Sequence, residues 1–130
     1  MPVNLGQRIL PCLFVSDMRR ALDFYIELLG FTQTGYYPIE SNPIRTEVRR
    51  DGVAIILYTE AAHGNDNRPA FSGALYVFPA DVRRLAEELR GKVSFAWGPE
   101  ETEFGTREFA IRDPDGYTVI FAEPSRPGSA

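Results

Sequence analysis

The sequence predicts an α+β domain built from two successive βαβββ modules, and three observations carry that prediction. The pattern Asp-apolar-Arg-Arg occurs twice, as Asp17-Met18-Arg19-Arg20 and as Asp81-Val82-Arg83-Arg84, each time where a helical stretch begins. Around both copies the order of elements is the same, with one strand-like run before the helix and three after it. Two units of about sixty residues account for the chain, and an internal period of that kind is read before any single element. The third observation is the closing segment 106–123, TREFAIRDPDGYTVIFAE, in which two runs of alternating polarity flank Asp113-Pro114-Asp115-Gly116. Pro114 presets φ for the second position of a type I turn, Asp113 can cap it, and Gly116 can take the left-handed conformation that closes it. Two period-2 runs joined in this way predict a hairpin.

In chain order, residues 8–15 (RILPCLFV) form an apolar run of strand length, and Pro11, unable to donate to a ladder, marks an edge or a bulge. Ser16 or Asp17 offers an N-cap. Met18, Ala21, Leu22, Tyr25, Leu28 and Leu29 then recur at helical spacing, and Gly30 is the stop. Residues 31–37 read as a strand ended by Pro38, and 38–44 as loop. Residues 45–50 and 53–58 are joined by Asp51-Gly52, a favoured type I′ hairpin pair. The segment 61–72, AAHGNDNRPAFS, is a linker of small, polar and breaker residues.

The second module opens with a strand at 73–78. A helix follows over 81–90, with Val82, Leu85, Ala86 and Leu89 on one face and Gly91 beyond its end. Residues 92–97 read as a short strand, 98–103 as a loop, and the closing hairpin comes next. Residues 124–130 are a flexible tail. The expected organisation is therefore one domain over 1–123, with modules at about 8–60 and 73–123.

Composition narrows the function classes. A chain of 130 residues, 44% hydrophobic and 25% charged, has the balance of a single globular domain with a real core. No apolar run approaches ~20 residues, and the N-terminus lacks a charged-then-apolar signal, so the expectation is a soluble cytoplasmic protein without a membrane partner. One cysteine excludes an intrachain disulfide framework. The net charge is −4, and the arginines come as scattered pairs, which argues against nucleic acid as a partner.

The segments VSDMRRALDFYIELLGF and FGTREFAIRDPDGYTVIFAEP carry a family likeness. The first resembles the opening helix of the vicinal oxygen chelate superfamily (glyoxalase, bleomycin resistance protein, dioxygenase), through its Asp, the Phe24-Tyr25 pair and the Leu29-Gly30-Phe31 exit. The second resembles that superfamily's last hairpin, above all in bleomycin-resistance-type members. The resemblance implies paired βαβββ modules whose mixed sheets curl into an open cup, and two chains pairing so that pockets form at or near their interface.

It also implies where a metal would sit in the enzymes of the superfamily, on the first strand of each module and on the last. Such a site needs imidazole or carboxylate ligands and an open coordination position. In this chain those places fall on Leu10, Ile56, Ala74 and Ile120, which cannot coordinate an ion. The expectation is no metal, no cofactor and no catalytic residue, with the four positions converging on one concavity.

Period-2 alternation names their companions on the same face as Cys12, Phe14, Ala54, Tyr58, Tyr76, Phe78, Thr118 and Ala122. The opposite faces (Leu13, Val15, Val53, Ile55, Leu57, Leu75, Val77, Val119, Phe121) suit burial under the helices. The cup reads as apolar and aromatic, a surface for stacking flat ligands. Trp97 and Phe104 flank the acidic stretch GPEETE, where rings beside Glu100, Glu101 and Glu103 can clamp a cationic aromatic compound. Arg107 and Glu108 are placed at the rim, as a pair or as groups that orient the ligand. The ligand-binding set is thus Phe14, Ile56, Tyr58, Tyr76, Phe78, Trp97, Phe104, Arg107 and Ile120.

His63, the only histidine, lies in the linker and cannot by itself make a metal site, and Cys12 reads as an inert, buried strand thiol. The function expected is that of a homodimeric, metal-free protein that sequesters an aromatic compound, cationic ones included. Two alternatives stand beside it. One is a metal-dependent lyase or dioxygenase with non-standard ligands such as Glu47, Glu108 and His63. The other is a non-catalytic interaction module whose cup is filled by its own side chains.

Overall fold

A computed structural model of the chain describes residues 2–59 and 68–125. The first module comprises β1 (Cys12–Phe14), α1 (Met18–Leu22) running on as a π-helix (Asp23–Leu28), β2 (Thr32–Tyr37), β3 (Arg45–Arg50) and β4 (Val53–Tyr58). The second comprises β5 (Ala74–Val77), α2 (Val82–Leu89), β6 (Phe95–Glu101), β7 (Thr106–Arg112) and β8 (Thr118–Pro124). Each module is one open four-stranded mixed sheet, ordered β1-β4-β3-β2 and β5-β8-β7-β6. In each, the first strand pairs in parallel with the last and the remaining pairs are antiparallel.

The duplication holds at the level of single hydrogen bonds. Asp17 Oδ1 accepts from Arg20 N at 3.0 Å, and Asp81 Oδ1 accepts from Arg84 N at 3.1 Å. Each carboxylate satisfies a backbone N–H that the first helical turn leaves without a partner.

Five local features depart from the sequence reading. The helix expected to run to Leu29 changes at Asp23 to the wider π-helical winding, in which Leu29 N donates to Phe24 O at 3.0 Å, five residues back. That winding turns both Phe24 and Tyr25 inward, where their rings meet edge to face at 5.2 Å. The Asp51-Gly52 turn is not type I′, because only Asp51 takes a positive φ (53°), whereas I′ needs it at both central residues. β1 is short because pairing begins after Pro11, whose carbonyl accepts from Ile56 N at 2.9 Å while Ile9 stays 95% exposed. The stretch expected as loop from 98 onward is strand as far as Glu101. β6 absorbs the Gly98-Pro99 breaker through register shifts and then continues, with Glu101 opposite Arg107. At the far end β8 includes Pro124.

One buried cluster draws on both modules. It combines Leu13, Val15, Ile55 and Leu57 from sheet 1 with Phe109, Ile111, Val119 and Phe121 from sheet 2, and with the inner faces of both helical elements. Phe109 lies between Phe95 (ring centroids 4.7 Å apart) and Phe121 (5.0 Å). The residues expected to lie under the helices are therefore core or half-buried.

Polar groups stitch the seam between the modules. Tyr25 Oη, fully buried, donates to Asp113 Oδ2 at 2.7 Å. Asp113 Oδ1 accepts from the backbone N–H groups of Asp115 (2.9 Å) and Tyr117 (3.0 Å). Ser16 Oγ donates to Asp115 Oδ1 at 2.6 Å, and Tyr117 Oη donates to Phe14 O at 2.7 Å. The turn predicted from Asp-Pro-Asp-Gly is thus also the clasp that holds the second module on the first.

Burial, reinforced by the charges of Asp115 and Asp113, pushes the Tyr117 hydroxyl up to about 12 from its ordinary 10.0. The folded state therefore holds this proton more tightly than the unfolded chain does. That stability is complete below pH 10 and is lost as pH rises from 10 towards 12. Urea unfolding at about pH 9 and about pH 11.5 is expected to show a steeper alkaline loss for the native chain than for Tyr117→Phe. Equal losses in the two proteins would show that this hydroxyl does not link seam stability to alkaline pH.

Candidate functional site

Strand register decides which side chains share the face of each sheet turned away from the helices, because directly opposed residues point the same way. The middle of that face on sheet 2 is buried at Ala110, Ile120 and Ala122, and it opens to solvent at Tyr76 and Phe78. On sheet 2 one transverse row reads Trp97, Ala110, Ile120, Tyr76. The next row reads Glu100, Glu108, Ala122, with Phe78 one residue past the end of β5. Tyr76 and Phe78 are stacked at 6.0 Å between ring centroids and are 48% and 64% exposed. Trp97 is half-buried on the same face.

Glu108 stands out in that setting. Its side chain is 5% exposed, and Oε2 accepts from Thr106 Oγ1 at 3.1 Å. Directly opposite on β6 is a second carboxylate, Glu100. Neither is in an ion pair among the described residues. Like charges in direct cross-strand register repel, and a buried carboxylate without a cation is costly. The Glu108 charge also reaches Tyr76, whose hydroxyl is pushed up by burial first and by Glu108 second.

On sheet 1 the rows are Gly35, Glu47, Ile56, Cys12 and Tyr37, Arg45, Tyr58, Phe14. Phe14 and Tyr58 meet edge to face at 5.8 Å. Glu47 accepts from Arg49 (3.1 Å) and from the Thr34 hydroxyl (3.0 Å), whereas Arg45 is exposed. Ile56 lines a cavity of about 190 Å³ with Tyr37, Arg45 and Glu47. Phe14 and Tyr58 line another of about 200 Å³ with Cys12, Phe71 and Tyr117.

These placements change the expected cup in two ways. These faces carry charges beside the expected hydroxyls and thiol, because β3 contributes Arg45, Glu47 and Arg49 opposite Tyr58, Ile56 and Ala54, and β7 contributes Glu108 and Arg112 opposite Ala122 and Thr118. The alternation rule names these groups as well once it is applied to the middle strands. Nor does one chain bring the four supposed metal positions together. Ile56 belongs to sheet 1, Ile120 and Ala74 to sheet 2, and Leu10 precedes β1.

Of the other residues singled out, Phe104 is 76% exposed in the β6–β7 turn. Arg107 points to the opposite side of sheet 2 from Tyr76 and Ile120, in register with Glu101 and Glu123. Its guanidinium reaches those carboxylates at 3.1 and 3.3 Å, and its Nε is buried without a hydrogen-bond partner. Cys12, expected to be buried, is instead a free, exposed thiol, because it opens β1 at the edge of sheet 1. His63 lies outside the described residues.

The fit of a metal is tested by the donors present. Among the described residues no three His, Cys, Asp or Glu side chains gather closely enough to hold an ion. Glu47 and Glu108 stand on different sheets. No helix among the described residues is long and apolar enough to cross a membrane.

The family model of the Glyoxalase/Bleomycin resistance protein/Dioxygenase superfamily matches residues 8–121. The chain belongs to that superfamily. Solved structures similar to the chain include TnmS3, an antibiotic binding protein from Streptomyces sp. CB03234, 25% identical over 94% of this chain and 100% of its own, with a TM-score of 0.70. A glyoxalase/bleomycin resistance protein from the same organism is 27% identical over 87% and 99% of the two chains, with a TM-score of 0.64. TioX from Micromonospora sp. ML1 shares the fold with a TM-score of 0.73 at 17% identity, over 92% and 99% of the two chains. No curated protein matches at a significant level. Within the Glyoxalase/Bleomycin resistance protein/Dioxygenase superfamily, then, this chain keeps both modules while apolar side chains occupy the positions expected to hold metal ligands.

Proposed function

We propose that the protein binds an aromatic small molecule bearing a cationic group and sequesters it stoichiometrically, without a metal and without turnover. The observation that carries this reading is the open face of sheet 2. There the Trp97–Ile120–Tyr76 row lies beside two opposed, unpaired carboxylates, Glu100 and Glu108. A flat ring system stacks on the aromatic row, and its cation relieves the repulsion between the glutamates. The likeness to TnmS3, itself an antibiotic binding protein, supports a ligand of that size.

One sheet face leaves a drug-sized molecule half in water, so the site is completed by a second copy. The partner's sheet 1, with the Phe14–Tyr58 pair and Arg45, supplies the other wall of a cup, and the working protein is a cytoplasmic homodimer. In that assembly Ile56 of one chain and Ile120 of the other line the same concavity. The contacting set is then Phe14, Ile56, Tyr58, Tyr76, Phe78, Trp97 and Ile120, with Glu108 added. Phe104 lies at the mouth, and Arg107 braces β6 against β8.

Trp97 is the single tryptophan, so its emission reports the site directly. Titration with planar cationic drugs is expected to quench it saturably, at one ligand per chain. Sedimentation is expected to show a dimer. The absence of saturable quenching below about 1 mM, where binding energy falls to about 4 kcal/mol, would sink the reading. So would stoichiometric metal in protein purified without chelators.

A further inference from the structure

A cavity of about 600 Å³ lies on the helix side of the sheets, between the modules, and meets the open face of sheet 2 only at Phe78. The first module supplies Phe31 and Val53 to its wall, and the second supplies Val77, Phe78, Leu85 and Phe121. The volume is within the range of about 300–1,000 Å³ typical of sites for small organic molecules. It is three times that of the cavity of about 200 Å³ beside Phe14 and Tyr58.

The cation on its wall, Arg50, decides what it will accept. Arg50 Nη1 donates to Leu29 O (2.8 Å) and to Glu88 Oε2 (2.9 Å), and Nη2 donates to Glu88 Oε1 (3.1 Å). Nε lies 4.0 Å from an Asp51 carboxylate oxygen. The guanidinium is thus committed to groups of this chain, in the bidentate geometry that carboxylates hold best. An anionic ligand would have to displace Glu88, and a cationic one would have to compete with Arg50 for it. An uncharged molecule disturbs neither. It gains by covering apolar walls that otherwise lack contact partners on one side.

We propose that this inter-module cavity is a second small-molecule site, which takes an uncharged, mainly apolar molecule of drug size. The proposal does not depend on the open-face reading, because Phe78 alone is shared, and Trp97, Ile120, Tyr76 and the two opposed glutamates do not line this cavity. An occupant touches both modules at once, so its binding reinforces the Arg50–Glu88 bridge and the docking of α2 on the first module.

The test uses the full chain and the neutral dye Nile red, read by its own emission, with the anionic dye anilinonaphthalene sulfonate as the charged comparison. Saturable, blue-shifted Nile red binding at one site per chain is expected, with the anionic dye at least about tenfold weaker. Ala80→Trp and Val53→Phe fill the cavity from opposite modules and are each expected to weaken Nile red at least about tenfold. Ala80 is exposed, so its variant leaves the core intact, and thermal unfolding of both variants checks the fold. Trp97→Phe, on the open face at the far edge of sheet 2 from Phe78, is expected to leave Nile red binding unchanged. The proposal is overturned if the native chain shows no saturable Nile red binding, or if Ala80→Trp binds as well as native. It is equally overturned if the anionic dye binds as tightly, or if Trp97→Phe abolishes binding. Quenching of Trp97 by cationic drugs is read separately, so either site can fail while the other stands.

Discussion

Replacing Asp113 with alanine is expected to cost about 3 kcal/mol, a large share of the ~5–15 kcal/mol that holds a domain of this size together. The side chain is 5% exposed and accepts three hydrogen bonds, from the Tyr25 hydroxyl and from the backbone N–H groups of Asp115 and Tyr117. Alanine leaves all three donors without their acceptor. Two belong to the turn that closes β7 and β8, and the third is a fully buried phenol on the first module. Each buried donor left unpaired costs about 1–3 kcal/mol, and the turn can recover part of that through water. Asp113→Asn keeps one carbonyl oxygen for the turn and is expected to lose less. Equilibrium unfolding in urea measures both, and a loss under about 1 kcal/mol for alanine would show that the clasp is not a main support of the seam.

The same carboxylate has a readable pH signature. Burial pushes its pKa above the ordinary 3.8, although the bonds from Tyr25, Tyr117 and Asp115 pull it back part of the way. The folded protein therefore binds this proton more tightly than the unfolded chain. Its contribution is fullest below pH 3.8 and declines as pH rises through the folded value. The stability of native protein relative to Asp113→Asn is thus expected to fall as pH rises above 3.8, against the usual acid-labile trend. A difference that instead grows with pH would mean that the hydrogen bonds outweigh burial.

Glu108→Gln is expected to move stability and binding in opposite directions. The amide keeps the volume, and its oxygen can still accept from the Thr106 hydroxyl, while the charge facing Glu100 is removed. Stability should hold or rise by up to about 1 kcal/mol, because like charges in register no longer oppose each other. Affinity for a cationic aromatic ligand should fall about 10–100-fold, or about 1.4–2.7 kcal/mol, while an uncharged aromatic of the same shape binds as before. Equal effects on charged and uncharged probes would place the cation elsewhere. A marked loss of stability would make Glu108 a structural group.

Much of this architecture is legible in the order of residues alone. The matched Asp-apolar-Arg-Arg patterns do cap two helices through the same bond, and Asp-Pro-Asp-Gly does close a hairpin, because caps and turns are settled within a few residues. Alternation sorts Leu13, Ile55, Leu57, Val119 and Phe121 to the core correctly, since a strand has only two faces. Three features resist such reading for physical reasons. The π-helical winding after Leu22 follows from packing Phe24 and Tyr25 together, which no spacing rule encodes. β6 runs through Gly98-Pro99 because its partner strand holds it on both sides of the irregularity. The β3–β4 turn takes a positive φ at Asp51 alone, where the expected type I′ pair needs it at Gly52 as well.

The charges on the open faces mark the boundary most clearly. Which residues alternate is a property of one strand. Which of them stand side by side is a property of register, and register placed Glu108 against Glu100 and Arg45 against Tyr58. What the sequence determined by itself is the doubled module with its caps and turns, because these depend on neighbours a few bonds away. What only the tertiary structure decided is the clasp of Ser16 and Tyr25 on a turn about a hundred residues later, the bridge from Arg50 to Glu88, and the cavity between the modules. Those contacts exist only when two separately predictable halves dock, and the energy that selects their docking is shared across the whole buried cluster.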